Sequence, residues 1–115
     1  MGFGYKGLTV WQKAMDLVEN IYKVTQNFPR EEQYGLTSQL RRASISIPSN
    51  IAEGSRRTGE KDTKHFFVIA FGSASEIETQ LELSLRLNYI NQSEYYKLIT
   101  LLEEILKMLN KLSRN

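Results

Sequence analysis

Apolar residues recur through this chain at alternating steps of three and four, in four successive stretches, and that spacing admits little besides amphipathic helices. In the first stretch, from a Thr9 cap to about Asn27, Val10, Ala14, Leu17, Ile21, Val24 and Phe28 keep to one face. Trp11, Met15, Val18 and Tyr22 form a second stripe beside it, so this helix has to touch two neighbours. Phe28-Pro29 closes it. The second stretch runs from about Glu31 to Gly54, with Leu36, Leu40, Ala43, Ile47 and Ile51 turned inward. Pro48 falls inside it and deprives the Ser44 carbonyl of its helical donor, at about 3 kcal/mol in a regular helix. The stripe keeps its phase across the proline, which predicts one kinked helix, with Ser44 and Ser46 bonding carbonyls near the kink. Gly54 reads as its C-terminal cap in a left-handed conformation.

The third stretch extends from Thr58–Glu60 to about Asn88, with the stripe Phe67, Ala70, Ala74, Ile77, Leu81 and Ser84. Phe66–Phe71 alone suits a buried strand, but the helical period persists well beyond it. Gly72-Ser73-Ala74-Ser75 makes mid-helix small enough for close approach by a neighbour. The fourth stretch, capped by Asn91 or Ser93, carries Tyr95, Leu98, Leu102, Ile105, Leu109 and Leu112 as a heptad-like seam. Ile99, Leu101, Leu106 and Met108 widen that face. Four such helices with short connections predict an all-α, antiparallel up-and-down four-helix bundle. Residues 1–115 make one domain, with residues 1–8 as a flexible tail, because no polar linker divides the chain.

Chemistry has few footholds here. Cysteine is absent, which excludes thiol catalysis, cysteine–zinc sites and disulfides, and fits a reducing compartment. No apolar run reaches membrane-spanning length and no segment resembles an export signal, so the cytoplasm is the expected location. Gly2-Phe3-Gly4-Tyr5-Lys6-Gly7 matches a dinucleotide-binding pattern, but no strand precedes it and the rest of the chain is helical; the bland reading is a flexible tail. One histidine, His65, cannot supply the two Glu-x-x-His pairs of a di-iron bundle, and it lies opposite its helix's inward stripe. Glu76, Glu78 and Glu82 suit a solvated face better than acid–base work, and Asn50 and Glu53 suit hydrogen bonding at the end of the second helix. No catalytic, cofactor or metal site is expected, and no enzyme.

Charge is less even than the net +2 suggests. Between residues 41 and 64 six basic residues (Arg41, Arg42, Arg56, Arg57, Lys61, Lys64) stand against three acidic ones, a local excess of +3. Arg56, Arg57, Lys61 and Lys64 surround one turn and the following helix start, which makes either a phosphate site or a solvated loop. On ideal helices Ile45 lies about 160° from the inward stripe, and Val68 and Leu83 about 150°, with Gly72 on the side of Leu83. Apolar residues so placed, next to a glycine that admits a close neighbour, predict a subunit contact.

The run Arg42-Ala43-Ser44-Ile45-Ser46-Ile47-Pro48-Ser49-Asn50-Ile51-Ala52-Glu53-Gly54-Ser55-Arg56-Arg57 resembles the signature of a bacterial family of four-helix-bundle proteins encoded in intervening sequences of large-subunit ribosomal RNA genes. Leu8–Ala14, Phe28-Pro29 with Tyr34-Gly35-Leu36, and Gly72–Leu81 agree with it, so the resemblance spans about Leu8 to Leu112. It implies a compact bundle assembled as a cyclic homopentamer, with no established enzymatic activity. The chain is also similar to accessory proteins of diversity-generating retroelements, whose basic pentamers bind nucleic acid and a reverse transcriptase. Two functions are therefore expected: an oligomer binding structured RNA through its basic patch, or an oligomeric scaffold for a protein partner. Phosphate-dependent affinity distinguishes the first from the second.

Overall fold

The computed structural model describes residues 4–114. It consists of four helices, α1 (Thr9–Thr25), α2 (Leu36–Ser55), α3 (Glu60–Arg86) and α4 (Gln92–Arg114), with single 3-10 turns at Gly4–Gly7 and Arg30–Glu32. Each helix packs on its chain neighbours and α1 also packs on α4, while the diagonal pairs lie farther apart. This is an antiparallel up-and-down bundle, 43 Å long and about 25 Å across. No strand occurs among the described residues.

The inward stripes explain the packing. Leu17, Ile21, Leu40, Ile47, Ile51, Ala74, Ile77, Leu81, Leu102, Ile105 and Leu109 are wholly buried in one contiguous core. Leu36 and Ala43 complete the α2 stripe, and α2 runs through Pro48 without interruption. Trp11, Met15, Val18 and Tyr22 are half-buried, as a stripe between two neighbours should be. Leu112 departs from the expected seam: it is 39% exposed, because α4 here reaches the open end of the bundle.

Several helix ends differ from the sequence reading. α2 starts at Leu36, not Glu31: Glu31 and Glu32 lie in the 3-10 turn, and the Glu32 carboxylate accepts from the Leu36 N–H at 3.0 Å. The other oxygen of Glu32 accepts from the Tyr89 hydroxyl at 3.0 Å, tying the two loops at this end together. Thr9 is the first residue of α1, not its cap; Leu8 holds that position without a side-chain bond. Gly54 is not a left-handed cap, since its φ is not positive and the helix ends at Ser55 with Arg56 as cap. A Cβ on Gly54 would meet Phe66 Cβ at 3.0 Å and Phe67 Cε1 and the Thr63 carbonyl at 3.1 Å, so the glycine is there to let α3 approach α2. Asn91 caps α4 with Glu94 in a reciprocal box, Glu94 N–H to Asn91 Oδ1 at 2.7 Å and Asn91 N–H to Glu94 Oε1 at 2.9 Å. Where the sequence suggests a tail, Gly4–Gly7 forms a 3-10 turn against α1 and α2, with Tyr5 edge-on to Trp11. Gly2 and Phe3 of the glycine pattern lie outside the described residues.

Candidate nucleic-acid interface

The turn joining α2 to α3 holds four of the six basic residues that the sequence singles out. Arg56 and Arg57 follow the end of α2, and Lys61 and Lys64 occupy the first turns of α3. The close approach at Gly54 pins the two helix ends together, so the four side chains share one end of the bundle. Arg57 is held by Glu53 and lies 4.8 Å over the Phe66 ring. Lys64 stands 3.8 Å from Glu60. Arg56 lies 5.4 Å over the Tyr5 ring, and neither it nor Lys61 has an ion-pair partner among the described residues. Exposed pairs one helical turn apart contribute only a few tenths of a kcal/mol, so Arg57 and Lys64 are readily diverted to a phosphate.

Arg41 and Arg42 are elsewhere. Fifteen residues of helix separate Arg41 from Arg56, about 22 Å. Its guanidinium donates to Thr25 Oγ1 at 2.9 Å and lies 4.5 Å over the Tyr22 ring, fastening α2 to the end of α1. Arg42 stands in a polar groove of about 370 Å³ between α2 and α3, lined also by Gln39, Ala43, Ser46, Ser73, Glu76 and Gln80.

The topology adds three cations that linear spacing does not reveal. Lys13 bonds Glu104 across α1 and α4, and the Tyr95 hydroxyl bonds Glu82 across α4 and α3, which fixes the antiparallel register. By that register Lys6, Lys111 and Arg114 fall at the same end as the α2–α3 turn. Seven cations (Lys6, Arg56, Arg57, Lys61, Lys64, Lys111, Arg114) then stand with three carboxylates (Glu53, Glu60, Asp62), a charge of +4. The remaining eight basic and ten acidic residues sum to −2, so the molecule is electrically polar along its length.

The residues expected at a subunit contact face outward. Ile45 is 43%, Val68 54% and Leu83 44% exposed. Gly72 is exposed, and a Cβ there would meet nothing within 4 Å, so packing within the bundle does not require the glycine. Ile45 also lines an apolar groove of about 330 Å³ between α1 and α2, with Trp11, Met15, Val18 and Pro48. His65 is exposed beside Phe66. Glu82 is engaged by Arg86 and Tyr95, whose hydrogen bonds hold its carboxyl below the usual carboxylate range. Among the described residues no cluster of His, Cys, Asp and Glu could hold a metal ion, and no helix is long and apolar enough to cross a membrane.

Comparison with known proteins agrees with this architecture. No curated protein matches the chain. The fold is similar to the crystal structure of a protein of unknown function from the S23 ribosomal protein family of Bacteroides thetaiotaomicron, with a TM-score of 0.83 and 27% sequence identity. That match covers 93% of this chain and 100% of the other. A family model described as 23S rRNA-intervening sequence protein matches residues 6–111, nearly the whole bundle. The chain therefore belongs to the family of 23S rRNA-intervening sequence proteins.

Proposed function

We propose that the protein is a non-enzymatic, cytoplasmic homo-oligomer that binds structured RNA through its basic end. The observation that carries this reading is the concentration of +4 at one end of a subunit whose remainder is −2. Arg56, Arg57, Lys61 and Lys64 form the centre of the surface, and Lys6, Lys111 and Arg114 extend it. A single subunit at +2 holds polyanions weakly. In a ring, five subunits would total +10, and their basic ends would act together on one molecule. The contact proposed between subunits is heterologous: the outer ridge of α3, with Val68, Gly72 and Leu83, against the groove around Ile45 on the next copy.

RNA affinity at two salt concentrations tests the reading. Each phosphate neutralised contributes about −0.7 to −0.9 to the slope of log affinity against log salt. Changing Arg56, Arg57, Lys61 and Lys64 to glutamine is expected to weaken binding and flatten that slope. Absence of affinity at low salt, or an unchanged slope in the variant, overturns it. The second reading, an oligomeric scaffold with a protein partner, then takes over.

A further inference from the structure

Among the described residues three arginines lie over aromatic rings, and they differ in what else they do. Arg41, 4.5 Å over Tyr22, spends its donors inside the bundle, on Thr25 Oγ1 at 2.9 Å and the Tyr22 carbonyl at 3.4 Å. Arg56 and Arg57 are the other two, and both stand at the basic end. Arg57 is 4.8 Å over Phe66 and is held at its edge by Glu53, yet its side chain is 43% exposed. Arg56 is exposed, 5.4 Å over Tyr5, with no ion-pair partner among the described residues. A guanidinium is planar, so one that covers a ring with one face has a second face to offer. Unpaired RNA bases stack on such planes. The ammonium groups of Lys61 and Lys64 are compact point charges that suit phosphates and have no face of this kind.

We propose that Arg56 and Arg57 are stacking platforms for unpaired RNA bases, backed by Tyr5 and Phe66, while Lys61 and Lys64 neutralise phosphates of the same strand. The assignment rests on the RNA-binding reading and narrows its ligand to an unpaired segment, such as a loop, whose bases are free to leave their own stack. Stacking uses the face of Arg57 and leaves its edge to Glu53 or to a phosphate. Neither ring has to be open to solvent, since each lies beneath its arginine. Phe66 faces α2 at Gly54 and lies about 100–160° around α3 from Val68, Gly72 and Leu83, off the ridge proposed for the subunit contact. Tyr5 lines the groove around Ile45, but Arg56 lies beyond Ala52, the last α2 residue of that groove. Every base has a π-face, so this recognition tolerates sequence.

The test separates bases from charge. Two labelled probes of about ten nucleotides are titrated into the full chain: an unpaired RNA, and a stable abasic oligomer with the same number of phosphates. The RNA is expected to bind at least about fivefold more tightly at one salt concentration. Combining Arg56→Lys with Arg57→Lys keeps the charge, so the salt slope should stay while the preference for the RNA disappears. Both positions are exposed, and the melting temperature should not change. Tyr5→Leu, outside the core, leaves both arginines in place and should lower the preference in part. Equal affinity for the two probes, or a preference that survives the double lysine variant, overturns the proposal. If the equal affinities both fall with salt, the stacking fails and the basic end stands. No affinity for either probe at low salt overturns the RNA-binding reading and the stacking with it.

Discussion

Gly54 sets how closely the second and third helices approach at the basic end. Adding a methyl group would press on a Cβ, a ring edge and a backbone carbonyl at 3.0–3.1 Å, and neither the Cβ nor the carbonyl is the free end of a flexible chain. Overpacking of this kind costs about 1–3 kcal/mol, against about 1 kcal/mol gained from alanine's helix propensity. Gly54→Ala should therefore lower stability by about 1 kcal/mol in chemical denaturation. Gly72 is the control, because a Cβ there meets open space within the subunit. Gly72→Ala should raise the stability of the isolated subunit by about 0.5–1 kcal/mol, yet weaken assembly if the neighbouring copy needs that space. The sequence announces both glycines but not their roles: one before a polar turn reads equally as a left-handed cap or as a point of close approach. Arg41 is ambiguous in the same way, since linear charge spacing does not reveal Thr25 and the Tyr22 ring waiting across α1.

Among the elements, α4 was the most legible, because its seam is long and its start carries a capping box. Leu102 and Leu109 are fully buried, and Leu102→Ala or Leu109→Ala should each cost about 2–5 kcal/mol, read as a lower denaturation midpoint. The start of α2 was least legible. Glu31 and Glu32 have ordinary helix propensity, and only the side-chain bond from Glu32 to the Leu36 N–H shows that the chain turns first. The α3–α4 pair also carries a titratable strut in the Tyr95–Glu82 bond. Hydrogen bonds from Arg86 and Tyr95 lower the Glu82 pKa, so its contribution is present above the ordinary glutamate value and is lost as pH falls through the lowered one. Burial, then the bond to Glu82, raises the Tyr95 pKa. Its contribution is full below the ordinary tyrosine value and disappears as pH rises through the raised one. Melting temperature against pH should accordingly fall at both limits, and Tyr95→Phe should flatten the alkaline limb while leaving most of the acid one, because Arg86 still holds Glu82.

At the scale of the whole molecule, the inward faces were readable because burial imposes its period on the sequence, whereas the basic end was half readable. Arg56, Arg57, Lys61 and Lys64 are neighbours in the chain, but Lys6 joins them through the antiparallel α1–α2 pair, and Lys111 and Arg114 through the return of α4. The outward apolar residues were readable from helical phase, and the assembly proposed for them is open to a direct measurement. Native mass spectrometry at micromolar concentration should report an oligomer for the parent and a smaller species for Ile45→Glu; monomer alone for the parent removes the subunit contact. The order of the helices has a kinetic consequence as well. Every packed pair of helices except α1–α4 joins neighbours in the chain, so most native contacts close short loops. Chains with such local contacts fold in microseconds to milliseconds. A subunit would then be complete long before it meets a second copy, and the speed of assembly should scale with protein concentration while the speed of folding does not.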